Sequence, residues 1–578
     1  MDHRLTARPP FPAPRFASAR DGHLLSSLAR LRQAASLRAR RALLFDLQSG
    51  LHSAAVELEA GAEQDLAAAL PRDGAHTVLA DPALGTRAAA RLFAIVRRVR
   101  PDTLLIAPDV DGALRRRGGF ILAHVGARGL RVVRIADAHS AMQRAAAGGR
   151  AVLLLPALVR TLGTAGTRTP RRMHPAMAAL VRCVGGGVLP VHLAPTGFVL
   201  RARKAQPSGW RMRVGRVIAA PRLARFDDEG ALFAYLRLRL FALCFGGRAR
   251  RAGMGRELRR FIGRPAALLE PIPAPERCEL LEAELEALGP AARLVEQGGL
   301  AVFLFRAHAA PRTLNEVARL REVTFRAVGE GSGRALDRDT FDDQYQHLVV
   351  WDRETRMLVG AYRLVGTDEV LARAGVEGLY TRTLFQYDRG TIESLGPALE
   401  LGRSFVRAEY QRSYAPLLLL WRGIGAYLVA NPRYRRVFGA VSITAQYQPL
   451  SQALMVAYLR THRLAKDLAG QVGSERPYRF KRGVSRDLWR ASQAVCDVDE
   501  LSGLVSDIEL DRKGVPVLLR EYLKLGGQVI GFNVDTAFSD VLDALIVIDL
   551  VETPPRILSR YLGTAGLAEF LSHQGAAD

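Results

Sequence analysis

The chain has 578 residues, of which 49% are hydrophobic and 24% are charged, a composition typical of folded globular proteins and not of disordered ones. At roughly 150 residues per domain, this length predicts several structural units or two large ones. Lysine and arginine together number 82 against 57 aspartates and glutamates, so the formal net charge is +25, almost all of it from arginine. Such a surplus favours an anionic partner, either an acidic protein or an anionic membrane surface.

Several protein classes are excluded by what the sequence lacks. It has no zinc-finger spacing, no aromatic RNA-binding signature and no basic region leading into heptads, so we expect no nucleic-acid partner. Cys183, Cys244, Cys278 and Cys496 are scattered without paired spacing, so neither a disulfide framework nor a metal site is expected. Residues 1–20 lack a signal-peptide core, and no uncharged apolar run reaches the ~20 residues that span a bilayer. We therefore expect a cytoplasmic protein that meets the membrane only peripherally.

The first part of the chain predicts a flexible arm over residues 1–22 and a domain over residues 23–262. Short apolar strands alternate there with helical stretches, which predicts an α/β domain with a largely parallel sheet. The predicted strands are 76–79, 104–107, 121–125, 132–135, 151–155 and 188–193, and helices are predicted at 88–98 and 140–147. An apolar helix at 232–245 precedes a basic cluster at 248–260. Two interpretations of this helix stay open, a core helix or a helix at the membrane interface.

The remainder predicts a linker rich in Pro and Ala at residues 263–275 and a second domain at residues 276–578. Its predicted helices are 276–288, 314–328 and 416–429, and its predicted strands are 300–305, 348–351, 358–364 and 399–406. A helix placed directly after the strand 399–406 fits a mixed-sheet α/β domain.

That strand contains a carboxylate and a guanidinium, Glu400 and Arg403, in an otherwise apolar sequence. Charge in an apolar element is costly and indicates a function or a specific partner. Because side chains alternate along a strand, Glu400 and Arg403 would face opposite sides unless Gly402 marks a β-bulge. If they do, Arg403 would hold an acidic segment, and Arg363 or Arg321 would grip a substrate carboxylate through its bidentate fork.

Further polar residues precede the strand at regular spacings. Arg321 and Phe325 lie four apart on a predicted helix and so share a face, and Asp339 and Asp342 lie three apart in the polar segment that follows. Together with the residues around Glu400, they resemble the motif of the ornithine-lipid type of N-acyltransferases, which are also called haemolysin-like. These enzymes are GNAT-fold relatives of the acyl-homoserine-lactone synthases. The resemblance runs from about residue 314 to residue 570, and its matched positions are Arg321, Phe325, Asp339, Asp342, Arg363, Glu400 and Arg403.

The resemblance implies transfer of a fatty acyl group, plain or 3-hydroxylated, to the amine of an amino acid in membrane aminolipid synthesis. It implies no bound cofactor; the co-substrate is the acyl-phosphopantetheine of acyl carrier protein. The glycine-rich turn that cradles a pyrophosphate in acyl-CoA-dependent relatives is absent, since residues 412–416 lead straight into a helix. The basic surplus fits docking of the acidic carrier. The resemblance places the enzyme at the inner face of the cytoplasmic membrane.

Site roles follow from the same resemblance. Glu400 is the candidate general base, because an amino group is mostly protonated at neutral pH and a poorly solvated carboxylate can take its proton. Asp342, His347 and Arg403 are the other candidate catalytic residues, and Arg321, Phe325, Asp339 and Arg363 are the candidates for substrate binding. His347 is either a second base or a structural histidine. An ion network that merely maintains the fold is the alternative for the charged set.

The first domain resembles the lysophospholipid acyltransferase domains that are often fused to such GNAT domains. Active members carry Asn-His-Pro followed by an acid, but this chain reads Ala80-Asp81-Pro82 there. A His-x4-Asp does occur as His76 to Asp81, yet residues five apart on a strand face opposite sides. The segment 156–159 also lacks its acid, so we expect an inactive domain. Two alternative functions stay open, a glycerolipid O-acyltransferase acting through this domain and a non-enzymatic scaffold at the membrane.

Overall fold

The computed structural model describes residues 62–80, 86–109, 130–154, 177–195, 198–201, 204–207, 210–243, 269–480, 492–495, 497–536 and 540–575. Its contacts divide the chain into two compact units, Met1–Gly247 and Arg248–Asp578. Both units are α/β, and the second contains a mixed sheet, which confirms the predicted fold class. The arm predicted for residues 1–22 lies outside the described residues, as do residues 263–268 of the predicted linker.

The first unit is built around a six-stranded sheet in the order β3-β2-β4-β1-β5-β8. Its strands are β1 His76–Ala80, β2 Leu104–Asp109, β3 Leu130–Arg134, β4 Ala151–Leu154, β5 Val188–Pro195 and β8 Trp210–Val214, with a separate hairpin of β6 Phe198–Arg201 and β7 Lys204–Pro207. All pairings in the larger sheet are parallel except β5 with β8. The largely parallel sheet is therefore confirmed, while the strand predicted at 121–125 lies outside the described residues.

Helices of the first unit are α1 Ala62–Ala69, α2 Thr86–Val99, α3 Ile135–Ala147, α4 Met177–Arg182, α5 Ala220–Ala224 and α6, residues 229–243. Helix α6 contains the described part of the apolar segment for which two interpretations were open. Tyr235 and Leu236 are buried, and even Arg239 is only 4% exposed, donating from Nη2 to the backbone oxygen of Arg216 at 3.0 Å. Phe241 is an exception at 50% exposed. Burial along most of its length favours the core-helix interpretation of α6.

The second unit is built around an eight-stranded sheet in the order β17-β18-β15-β14-β12-β11-β10-β9. These strands are β9 Arg293–Gln297, β10 Leu300–Arg306, β11 Gln346–Asp352, β12 Met357–Gly366, β14 Ala398–Val406, β15 Arg436–Ile443, β17 Gln528–Asp535 and β18 Val541–Asp549; β13 Phe385–Gln386 pairs separately with β16 Gly473–Ser474. Only β14 and β15 pair in parallel, and the other neighbours are antiparallel.

Helices cover both faces of this sheet. They are α7 Cys278–Ala287, α8 Pro311–Ala327, α9 Thr367–Arg373, α10 Arg389–Glu393, α11 Ala415–Ala430, α12 Pro449–His462, α13 Lys466–Ala469, α14 Val498–Ile508, α15 Val517–Lys524 and α16 Pro555–Gly575, the last interrupted at Gly563. On one face, α8 packs its apolar side against the strands in a core that includes Phe303, Val349 and Phe405. On the other face lies α11, where a Cβ at Gly423 would be 2.7 Å from the side chain of Val302. Across the described residues, none of the helices combines the length and apolarity needed to cross a bilayer.

The two parallel strands β14 and β15 separate after a short contact. They pair over Ala398–Glu400 and residues 436–438, and at Gly439 the backbones still touch, since a Cβ there would lie 2.1 Å from the carbonyl oxygen of Leu401. Beyond this point β14 stays paired with β12 up to Val406, while β15 stays paired with β18 up to Ile443. The sheet therefore opens between residues 401–406 and 439–443.

Candidate active site

The aspartates predicted from their spacing form the centre of a buried ion network. Asp339 caps the short helical turn Thr340–Asp343, accepting from the amide of Phe341 at 3.0 Å, and Asp342 accepts from the amide of Asp339 at 3.0 Å. Arg321, completely buried on α8, donates to Asp342 at 2.7 Å. Arg363, equally buried on β12, donates to Asp339 and, at 3.1 Å, to Asp342. The structure thus brings these four predicted residues together.

Ionisation in this network is fixed by close pairing. Although burial alone would raise it, the guanidinium groups of Arg321 and Arg363 hold the pKa of Asp342 well below its usual range. Burial, reinforced by the charge of Arg321, lowers the pKa of His347 to about 4. His347 is therefore neutral at pH 7; its Nε2 lies 2.8 Å from the backbone oxygen of Asp342, and its Nδ1 lies 3.5 Å from Arg321. A fully buried imidazole held in this way fits the structural interpretation of His347, and its catalytic role stays a prediction.

Glu400 lies beside this network, and its side chain is 1% exposed. One carboxylate oxygen accepts from the amide of Thr381 at 2.7 Å, and the other accepts from the Tyr345 hydroxyl and, at 3.2 Å, from the amide of Tyr380. The carboxylate thus anchors the helical turn Tyr380–Thr383 to the sheet. Glu400 is as dry as predicted, but its oxygens are occupied by protein donors and it does not line the cavity described below. The general-base role of Glu400 stays a prediction, and this geometry gives it no contact with the cavity.

A β-bulge decides which side Arg403 faces. The pairing of β12 with β14 shifts register between Ala361 and Arg363, and Arg403 has φ 49°. The extra residue turns Arg403 to the face that Glu400 occupies, so that its Cζ lies 5.0 Å from the ring centre of Tyr380 and 6.0 Å from that of Phe325. The bulge that the alternation argument required is therefore present, and Glu400 and Arg403 share a face.

Arg403 also connects the ion network to open space. Its guanidinium lies 3.5 Å from Asp337 and 3.7 Å from Asp339. Arg403 therefore contacts the acidic segment although it shares a face with Glu400, whereas the sequence argument expected this contact only if the two faced opposite sides. Unlike Arg321 and Arg363, it lines a cavity of about 210 Å³ in the gap between β14 and β15. Residues from both separated strands form its walls, namely Leu401, Gly402, Arg403 and Ser404 of β14 and Ala440, Val441 and Ser442 of β15.

The rest of the cavity wall is aromatic and acidic. Phe325, at the end of α8, was predicted for substrate binding and does line the cavity, together with Tyr362, Tyr380 and Tyr522. Glu330, Asp535 and Asp543 add three carboxylates. The described residues contain no group of three or more His, Cys, Asp or Glu side chains that could hold a metal ion.

Two of these carboxyl groups have a raised pKa. Burial raises the pKa of Glu330 to about 7, with a further rise from the negative charge of Asp543 and an opposing effect from Arg403. Burial likewise raises the pKa of Asp543 to about 7, with Asp535 adding to the rise while Ser442 and Arg403 oppose it. A carboxylate that titrates near neutral pH beside a cavity can accept a proton during a reaction. Glu330 and Asp543 therefore have the acid-base property that was sought in Glu400.

Sequence reasoning missed both residues, although each carries a signal. Asp543 is the one carboxylate among residues 541–548 of β18, which are otherwise apolar, and this is the same pattern that drew attention to Glu400. Glu330 lies within Gly329-Glu330-Gly331-Ser332-Gly333, an acid in a glycine-rich turn. Neither pattern reveals whether the side chain faces the cavity, and a residue must face the cavity to take part in the site.

The first unit contributes less to a described site. The Nδ1 of His76 lies 3.3 Å from the backbone oxygen of Gly74, at the start of β1. Asp81, the other member of the His-x4-Asp pair, lies outside the described residues, and so does the segment 156–159. That the first domain is inactive stays a prediction.

Comparison with known proteins places the second unit's site in a family context. Residues 320–421 match the family described as Acetyltransferase (GNAT) domain. This range begins one residue before Arg321 and includes the ion network, Glu400, the bulge at Arg403 and the first part of α11. It ends before Ser442 and Asp543, so the far wall of the cavity lies outside the match.

Two curated relatives are similar over part of the chain. Glycine N(alpha)-acyltransferase of Bacteroides thetaiotaomicron is 35% identical over 205 residues, which cover 34% of this chain and 60% of that protein. The protein of the same name from Phocaeicola vulgatus is 33% identical over 210 residues, covering 34% of this chain and 64% of that protein. The chain thus spans less than two thirds of the length of these relatives.

A solved structure is similar to a further part of the chain. The crystal structure of the 1-acyl-sn-glycerophosphate (LPA) acyltransferase, PlsC, from Thermotoga maritima is 16% identical and covers 37% of this chain and 85% of that one. The TM-score is 0.21, and a likeness of this size carries no conclusion about fold or function.

Proposed function

We propose that the second unit is an N-acyltransferase that moves a fatty acyl group from a thioester to the amine of an amino acid. The observation that carries the proposal is the cavity in the opened sheet, whose walls bring Arg403 together with the late-ionising carboxylates Glu330 and Asp543. The similarity to proteins named Glycine N(alpha)-acyltransferase supports this reaction class and makes glycine the first acceptor to test.

The chemistry requires what these walls offer. An amino acid carries an ammonium group, which carboxylates bind, and a carboxylate group, which a guanidinium binds. The amine must lose a proton before it can attack the acyl carbonyl, so a base that titrates near neutral pH is needed. The gap between two strands also exposes backbone groups of β14 and β15, which can donate to the oxyanion that forms during attack.

The donor and setting belong to the same proposal. We propose acyl carrier protein as the donor, because the net charge of +25 favours an acidic partner and residues 412–416 lack glycines for a pyrophosphate. We propose aminolipid synthesis at the inner face of the cytoplasmic membrane as the setting. The first unit is proposed to resemble a lysophospholipid acyltransferase domain without its dyad, and to serve membrane docking or substrate presentation.

Gly402 offers a direct test of the cavity. Gly402 lines the cavity, and a Cβ at this residue meets nothing within 4 Å, so the position has room for the start of a larger side chain. The full-length chain would be incubated with acyl carrier protein loaded with plain or 3-hydroxy acyl chains and with glycine, ornithine and other amino acids, and N-acyl products would be followed by mass spectrometry. We expect a product from the wild type, and at least a ~10-fold loss in Gly402→Leu, because the side chain occupies the space of the substrate.

Gly402→Ala is the matched control and should keep most of the activity, because its methyl group removes little of the cavity. Circular dichroism and thermal unfolding would verify that both variants fold like the wild type. Absence of any N-acyl amino acid from the wild type, or full activity in a folded Gly402→Leu variant, would overturn the proposed function.

A further inference from the structure

Two carboxylates of the cavity, those of Glu330 and Asp543, accept few hydrogen bonds from the protein. Oε1 of Glu330 is buried and has no hydrogen-bond partner within the part of the chain that the structure describes. Asp543 is 4% exposed, and its Oδ1 accepts from the Ser442 hydroxyl at 2.9 Å. By contrast, Glu400 accepts three hydrogen bonds from protein donors. A buried carboxylate without donors is costly, which indicates that a ligand supplies them.

The position of Glu330 is fixed by a second acid on α8. Glu322 is completely buried and accepts from Ser332 at 2.9 Å and 2.8 Å and from the amide of Gly333 at 2.9 Å, which ties the turn after α8 to the helix. Gly329 has φ +79°, and a Cβ at Gly331 would lie 2.9 Å from the Cα of Arg326. The turn therefore needs glycine on both sides of Glu330, and it holds that side chain at the cavity wall.

Other titratable groups line the cavity beside Glu330 and Asp543. Arg403 of β14 is the cation and Asp535 of β17 is the third acid, and the remaining titratable groups are the phenols of Tyr362, Tyr380 and Tyr522. Arg403 is itself close to Asp337 and Asp339, so its positive charge is partly neutralised before a substrate arrives. Three carboxylates with one shared guanidinium leave the cavity with an excess of negative charge. An ammonium group is the ligand that this excess suits.

We propose that Glu330 and Asp543 together bind the ammonium group of the acceptor amino acid and take up the proton that it loses before attack. This inference rests on the proposed function and assigns the ammonium subsite within it. Glu330 enters from the turn after α8 and Asp543 from β18, so the two carboxylates approach the cavity from different elements. The matched family range, residues 320–421, contains only the first of them.

The proton balance of the reaction defines what the pair does. The acceptor ammonium loses one proton to a carboxylate of the pair, and the neutral amine then attacks the carbonyl carbon of the acyl thioester. A C–N bond forms, the C–S bond breaks, and the thiolate leaves. The nitrogen loses a second proton as the tetrahedral intermediate collapses. Of the two protons, one ends on the sulfur of the leaving thiol and the other passes to solvent, which restores the carboxylate.

Titration of the pair gives the inference its first signature. Because both carboxylates have a pKa of about 7, they are largely protonated in acid and then neither attract an ammonium group nor accept a proton. The kcat/KM for the amino acid should therefore rise with pH through about 7 in the wild type. Binding of the amino acid should release protons near that pH, because the ammonium charge favours the ionised carboxylates.

The test compares wild type, Glu330→Gln and Asp543→Asn as full-length proteins, with glycine or the amino acid that the acylation assay identifies. Each substitution should lower kcat/KM for the amino acid by about 100-fold or more, leave the KM of the acyl donor unchanged and make the rise near pH 7 shallower, because only one carboxylate of the pair is left to ionise. Isothermal titration calorimetry in buffers of different ionisation enthalpy should show proton release on amino-acid binding to the wild type, and about half as much on binding to either variant.

Asp343→Asn is the control, because this acid lies outside the cavity with its side chain 66% exposed, and its kinetics should match the wild type within about twofold. If one cavity variant fails to fold, the other decides the outcome. Wild-type kinetics and an unchanged pH profile in a folded Glu330→Gln or Asp543→Asn variant would overturn the inference while product formation still supports the proposed function. Absence of product from the wild type would instead reject the proposed function itself.

Discussion

Two adjoining groups of buried charged residues meet around Tyr380, and they shift the pKa of a carboxyl group in opposite directions. In the ion network, Asp342 accepts from both Arg321 and Arg363, and its pKa lies well below the usual range. In the cavity, Asp543 is nearly as buried but has its pKa raised to about 7. Full pairing fixes a charge and stabilises a fold, whereas sparse pairing leaves a carboxylate able to exchange a proton. The comparison separates residues that maintain the site from residues that can perform its chemistry.

Removing the centre of the ion network should have the largest effect. Asp342→Asn leaves Arg321 without its carboxylate partner and Arg363 with Asp339 alone, in surroundings where neither guanidinium reaches solvent. We expect the free energy of unfolding to fall by about 3–5 kcal/mol, because an uncompensated charge is left buried. Urea unfolding of the full-length protein would measure it. Asp343→Asn, at an exposed acid next in sequence, should cost less than about 0.5 kcal/mol, and equal losses in the two variants would refute the distinction.

Removing a cavity carboxylate should instead raise the free energy of unfolding. The native state keeps Asp543 protonated up to a pKa of about 7, against an ordinary value of 3.8, so wild-type stability falls as the pH rises through this interval. Asp543→Asn has no such charge, so it should match the wild type near pH 4 and exceed it by up to about 4 kcal/mol at pH 8. Thermal unfolding across this pH range would measure the difference. A variant that is less stable than the wild type at pH 8 would show that the carboxylate is well paired after all.

Glu400 lies between the two groups, and its substitution should have the smallest effect. Glu400→Gln keeps the size of the side chain but weakens the acceptors for the amides of Tyr380 and Thr381, so we expect a stability loss of about 1–2 kcal/mol. Activity should fall less than about tenfold, and the rise of kcat/KM near pH 7 should stay. Tyr345→Phe, which removes the third donor to this carboxylate, should resemble it. Loss of the pH-dependent rise in Glu400→Gln alone would restore Glu400 as the base.

The contrast also shows which features of the site could be predicted from residue patterns. The spacing of Arg321, Asp339 and Asp342 and the charge of Arg363 indicated residues that do meet in one network. The alternation argument correctly identified a bulge as the condition for Glu400 and Arg403 to share a face. Dryness of Glu400 followed from the apolar sequence around it, and its exposure is 1%. The function of Glu400 did not follow, because burial does not reveal whether protein donors or a substrate satisfy a carboxylate.

The sequence by itself determined the two α/β halves, the parallel sheet of the first and the strand and helix that carry the charged motif of the second. These depend on local periodicity and on charge within apolar segments, which a linear pattern contains. Only the tertiary structure decided that β14 and β15 separate, and that Glu330 and Asp543, 213 positions apart along the chain, line the same gap. Such a cavity arises where pairing ends, and the end of a strand pairing is a property of the whole sheet.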